Sequence, residues 1–159
     1  MVHSFSFCAM ASPCEIRFYW EHAEPAQDLA RQAQAEVARI EKKYSRYLAD
    51  SLLTYINRAA GVQAVAIDAE TAALLNYADQ LFRSSGGLFD ITSGVLRRAW
   101  DFRKPCLPKP DLLAACLASV GWEKVEFDAK QIFLPKAGME LDFGGFAKEY
   151  AVDRAASVL

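Results

Sequence analysis

Leu29, Ala33, Val37, Ile40 and Tyr44 recur at the spacing of one face of an α-helix, while Glu36, Arg39, Lys42 and Lys43 fall on its other faces. A helix from Pro25 to about Tyr44 with such a stripe must bury it, so the chain needs a second layer. Strands can supply it: Phe5 to Met10 and Glu15 to Trp20 read as extended, joined across Ala11-Ser12-Pro13 with Pro13 as the break. A short helix is expected from Ser51 to Ala60, ending at Gly61. An extended piece then covers Val62 to Ile67, and a helix capped by Asp68 carries Leu74, Ala78, Leu81 and Phe82 to Gly86-Gly87. Phe89 to Gly94 reads as an irregular turn leading into a helical piece through Leu96 and Trp100. After the prolines 105, 108 and 110, Asp111 opens a short helix to Ser119. Val125 to Phe127 and Gln131 to Leu134 fit a hairpin, Met139 to Asp142 a strand, and a last helix starts near Gly145 with Ala147, Tyr150 or Ala151, Ala155 and Val158 on one face. Strands and helices alternate without a βαβ rhythm, so the expected class is α+β, a mostly antiparallel sheet packed with helices.

A chain of 159 residues with 53% apolar and 24% charged residues fits one globular domain over residues 1–159. The net charge of −2 and the lack of a Lys/Arg cluster argue against nucleic acid as a partner. No run approaches the roughly 20 apolar residues of a membrane span. The N-terminus has neither the basic nor the apolar region of a signal peptide. As written, the chain reads as cytoplasmic; a longer protein could be periplasmic or membrane-anchored. Cys8, Cys14, Cys106 and Cys116 form no CxxC pair, so buried reduced thiols are expected rather than zinc ligands, and Trp100 and Trp122 read as core. Neither histidine belongs to a recognisable nucleophile motif.

The run Asp142-Phe143-Gly144-Gly145-Phe146-Ala147-Lys148 is the best local constellation for chemistry. A helix start reached through glycines presents unpaired N–H groups and the positive end of the macrodipole, which suits phosphate. Lys148 in that first turn faces an unfavourable dipole unless an anion such as phosphate or the Asp142 carboxylate offsets it. The same residues also fit a capping carboxylate, close-packed glycines and a solvated lysine. Gly86-Gly87-Leu88-Phe89-Asp90-Ile91-Thr92 can bring backbone to a ligand, or be a C-cap followed by an Asx turn. Tyr47 can stack a flat ring or cover the core, and Met10 can lie against an aromatic ligand or fill a gap.

In this order, from Met10-Ala11-Ser12-Pro13 through Tyr44 to Asn57, then Gly86 to Leu96 with Trp100, then Asp142 to Asp153, the segments resemble the ApbE family of FAD:protein FMN transferases. The resemblance implies a T-fold-related, ApbE-like architecture and protein flavinylation. The reaction is magnesium-dependent transfer of FMN from FAD to a Thr or Ser hydroxyl of an acceptor flavoprotein, with AMP released. It implies Met10, Tyr47, Leu88, Phe89, Asp90, Asp142 and Lys148 as FAD contacts, Asp142 and Lys148 as catalytic, and the Gly145 carbonyl as a donor to Mg2+. Ala11 and Glu149 stand where the family has glycine. Family members also continue for roughly another domain half, which carries the acidic and hydroxyl groups that complete the metal site. The chain is therefore expected to be an N-terminal portion, incomplete at its C-terminus, with another chain or a further half completing the site. The alternative is a truncated or degenerate FAD or adenine-nucleotide-binding module without transfer activity.

Overall fold

The computed structural model describes residues 1–159 apart from Phe102 and Lys104. The described residues form two compact units, Met1–Ser51 with Phe143–Leu159, and Leu52–Asp142.

In the first unit, β1 (Val2–Ala9) and β2 (Ser12–Tyr19) pair antiparallel from Val2↔Tyr19 to Ala9↔Ser12. The loop is only Met10 and Ala11, both left-handed at φ 52° and 56°. Pro13 is therefore not the expected break: it lies inside β2 opposite Cys8. In a two-stranded ribbon each strand is an edge, where a residue without an N–H is tolerated. His3, Phe5 and Phe18 stack along one face, with Phe5 and Phe18 centroids 5.9 Å apart.

Helix α1 (Ala23–Tyr44) follows the predicted periodicity and buries Ala26, Ala30, Ala33, Val37, Ile40 and Tyr44. Helix α5 (Ala147–Ala156) packs on it and buries Ala147, Ala151 and Ala155. Glu36 on α1 joins the two helices, accepting from Arg39 Nε at 2.8 Å and Arg154 Nε at 3.0 Å with its side chain only 14% exposed. Helix α5 starts two residues later than expected. Phe143 closes a turn first, its carbonyl accepting from the N–H groups of Phe146 at 3.1 Å and Ala147 at 2.8 Å. The aromatic side chains explain the turn's position: Phe143 lies 5.3 Å from Tyr44 and 5.2 Å from Phe146, and all three are buried.

The second unit holds α2 (Leu52–Arg58), β3 (Val65–Ala66), α3 (Ala69–Ser84), a 3-10 helix (Ile91–Arg98), α4 (Pro110–Leu117), β4 (Glu126–Phe127) and β5 (Gln131–Phe133). The strands form an antiparallel sheet in the order β3-β5-β4. Asp68 caps α3 as expected, accepting from Thr71 N–H at 3.0 Å, and Gly86 and Gly87 end it with φ of 64° and 84°. Pro110 occupies the first turn of α4, so that helix opens just before the expected Asp111.

Met139 to Asp142 is not the expected strand. Leu141 is 1% exposed, and both its backbone groups go to one side chain: its N–H donates to Asn57 Oδ1 at 2.7 Å and its carbonyl accepts from Asn57 Nδ2 at 3.0 Å. An amide side chain thus replaces a neighbouring strand. Two further expectations also fail in part. Trp122 is buried and donates from Nε1 to Asp79, but Trp100 is exposed; of the four free cysteines, Cys116 alone is buried.

Arg39 first, and Arg154 with it, hold the Glu36 carboxyl at a pKa of about 2 against the ordinary 4.5, outweighing the opposing effect of burial. Because the folded value is depressed, Glu36 contributes stability above pH 4.5 that is lost as pH falls through 2. With both arginines partly exposed, that loss should be about 1–2 kcal/mol. Glu36→Gln should flatten this part of the stability profile in urea titrations between pH 5 and pH 2. Asn57→Ala should strand the two backbone groups of Leu141 and lower unfolding stability by about 2–4 kcal/mol, read from the urea midpoint.

Candidate functional site

The expected site residues divide between the two units. Met10, Tyr47, Gly145 and Lys148 belong to the first, and Leu88, Phe89, Asp90 and Asp142 to the second.

Within the first unit, Met10 and Lys148 line one groove of about 390 Å³, together with Ser12, Pro13, Ala151 and Val152. Lys148 occupies the first turn of α5, where the dipole disfavours a cation. Its Nζ donates to Ser12 Oγ at 2.6 Å. A neutral hydroxyl orients the ammonium without cancelling its charge. Tyr47 is 77% exposed, its hydroxyl accepting from Arg46 at 2.8 Å and its ring facing that guanidinium at 5.0 Å. It therefore does not cover the core. Gly145 lies in the exposed turn before α5, and neither it nor Tyr47 lines the groove.

Within the second unit, Leu88 is 92% exposed just beyond the two left-handed glycines, and Phe89 N–H donates to Ser85 Oγ at 2.9 Å. Asp90 caps the 3-10 helix. Its Oδ1 accepts from the N–H of Thr92 at 2.7 Å and from Thr92 Oγ1 at 2.6 Å, while Oδ2 accepts from Trp122 N–H at 3.1 Å. Thr92 Oγ1 in turn accepts from Gly121 N–H at 2.8 Å. This carboxylate orders a turn, which leaves the exposed Leu88 and the backbone beside it as the more accessible parts of the segment. Asp142 is brought next to that turn, its N–H donating to Ile91 carbonyl at 2.8 Å. Gly94 makes the approach possible, since a Cβ there would come within 2.6 Å of Asp142 Cβ.

Asn57 and Gly94 are absent from the residues expected of the site, yet Asn57 holds the Leu141 backbone and Gly94 admits the Asp142 segment beside the Asp90 turn. Asn57 and Gly94 lie within the motif blocks, but only their partners in space reveal what they do. Glu41, which accepts from Met10 N–H at 2.9 Å, stands at the margin of the buried face of α1, and nothing in the spacing distinguishes it.

Mg2+ needs a near-octahedral set of oxygens, commonly one or two carboxylates with phosphates and water. Among the described residues no group of three or more His, Cys, Asp or Glu is placed to hold a metal. Among the same residues no helix is long and apolar enough to cross a membrane.

Residues 10–159 match the model of the ApbE family. The FAD:protein FMN transferase of Klebsiella pneumoniae (strain 342) is 30% identical across 99% of this chain and 50% of its own length. That of Treponema pallidum is 29% identical across 92% of this chain and 43% of its own. Among solved structures, the ApbE protein of Thermotoga maritima superposes with a TM-score of 0.88 at 26% identity, over 99% of this chain and 52% of that one. The flavin transferase ApbE of Vibrio cholerae reaches 0.90 at 21% identity, over 99% and 52%. The chain thus spans about half the length of the relatives it matches, and the mixed helical and antiparallel fold is theirs.

Asp90→Ala should lower stability by about 2–4 kcal/mol in chemical unfolding, because it removes a cap and strands the Trp122 N–H. Asp90→Asn, which keeps an oxygen toward Thr92, should cost less.

Proposed function

Since the chain belongs to the ApbE family, we propose that residues 1–159 form part of a single flavin transferase domain that transfers FMN from FAD to a Thr or Ser hydroxyl of an acceptor protein. The observation that carries this reading is the extent of the match: residues 10–159 include Met10, Lys148 and every other candidate position between them.

In the transfer, the hydroxyl oxygen bonds to the FMN-side phosphorus while the bond from that phosphorus to the bridging oxygen breaks, and AMP leaves with the electron pair. The hydroxyl proton must pass to a base, the role assigned here to Asp142. Lys148 supplies positive charge to the pyrophosphate, supported by its place in the first turn of α5 and by its hydroxyl partner. Tyr47 is an exposed aromatic surface for a flat ring. Met10 lies in the same groove as Lys148, and Leu88, Phe89 and Asp90 contribute a glycine-preceded segment for the nucleotide. Gly145 enters as one backbone donor to Mg2+, whose role when bound is to offset phosphate charge.

Incubation of the chain with FAD, Mg2+ and an acceptor peptide bearing Thr or Ser should add the mass of FMN to that hydroxyl. Bound FAD without any mass gain would overturn transfer by this chain and favour a nucleotide-binding module. In a flavin fluorescence titration, Lys148→Ala should weaken FAD binding about tenfold, with Lys148→Arg weakening it less.

A further inference from the structure

We propose that Glu41, half-buried at the margin of the buried face of α1, is a positioning residue for the flavin site, holding the Met10-Ala11 turn and through it the Lys148 ammonium. The proposal rests on the FAD reading above.

A two-residue hairpin loop with positive φ at both positions is ordinarily built from Asn-Gly, Asp-Gly or Gly-Gly. Here the loop is Met10-Ala11, at φ 52° and 56°. Each carries a Cβ, and each left-handed non-glycine residue costs about 1–2 kcal/mol. The local sequence therefore disfavours its own turn, and something outside it must hold it. The ladder ends at the pair Ala9↔Ser12, so the Met10 N–H has no acceptor on the opposite strand. Glu41 Oε1 accepts that N–H at 2.9 Å. The carboxylate is well placed for this, because Ile40 beside it and Tyr44 one turn later are buried and fix that stretch of α1.

On the far side of the turn, Ser12 Oγ accepts from Lys148 Nζ at 2.6 Å. One chain of contacts thus runs from the Glu41 carboxylate through Met10, Ala11 and Ser12 to Lys148. Met10 and Lys148 both line the groove that reads as the flavin contact: Met10 lies in this turn, and the Lys148 ammonium is bonded to Ser12, which follows it. In this arrangement Glu41 acts through Met10 and touches no substrate.

The test compares wild type with Glu41→Ala, Glu41→Gln and the double variant Glu41→Ala with Ala11→Gly, using the full chain. Amide hydrogen exchange at Met10 is followed by NMR, and FAD affinity by flavin fluorescence with Mg2+ present. Glu41→Ala should speed Met10 exchange and weaken FAD binding, each about tenfold, with little change in the global unfolding midpoint. Glu41→Gln keeps an accepting oxygen and should stay near wild type. Ala11→Gly removes the left-handed penalty and should restore most of the affinity in the double variant. Unchanged Met10 exchange in Glu41→Ala overturns the proposal, as does a Glu41→Gln variant as impaired as Glu41→Ala. So does unchanged FAD affinity in a variant whose Met10 exchange has accelerated. A wild-type chain that binds no FAD defeats the flavin reading itself, and with it this role for Glu41. The exchange data then show separately whether Glu41 holds the turn.

Discussion

Leu141 is 1% exposed and lies outside any ladder, so its N–H and C=O must each find a partner in the interior. Both find Asn57, eighty-four residues earlier in the chain. The same requirement is met by side chains at the other irregular segments. Asp90 answers Thr92 and Trp122, Thr92 answers Gly121, and Glu41 answers Met10. Strands in this chain are short beyond the first hairpin, with two or three residues each in β3, β4 and β5. Parts of the loop backbone that carries the candidate site therefore depend on polar side chains for their conformation. These bonds are spent on order rather than on solvent, which is why several conspicuous polar residues here shape turns.

Asp90 is the sharpest instance. Its residue type and its place after two glycines suit a ligand contact, and the resemblance assigns it one. In the folded chain its two oxygens already accept three bonds, so removing it disturbs a turn before it disturbs any nucleotide. Lys148 is the contrary case. It occupies a position that the helix dipole disfavours, and its partner within the unit is a hydroxyl, which orients it and leaves its charge to act elsewhere. Ion pairing is used for another purpose in the same unit. Glu36, with Arg39 and Arg154, ties α5 to α1 and so fixes the helix that carries Lys148.

Long, regular elements were legible in the chain. The α1 stripe, the Asp68 cap of α3 and the Gly86-Gly87 stop all rest on local rules, a helical period, a side chain reaching its own first turn, and glycine's freedom at positive φ. Pro13 reads as a break because proline disrupts strands with neighbours on both sides, yet β2 is an edge of a two-stranded ribbon. Met139 to Asp142 has the pattern of a strand, but a strand needs a neighbour, and Asn57 stands in for one. Trp100 looks like core by type and is exposed.

By itself the sequence determined the α+β class, the two principal helices, the glycine-led segments around Asp90 and Lys148, and the family likeness, because each depends on residue type and spacing along the chain. Tertiary structure alone decided which side chains hold those segments in place. Asn57 on Leu141, Gly94 beneath Asp142 and Glu41 on Met10 are contacts between residues 31 to 84 positions apart. No local pattern encodes them, since a buried backbone group accepts any partner that the packing brings within hydrogen-bonding distance.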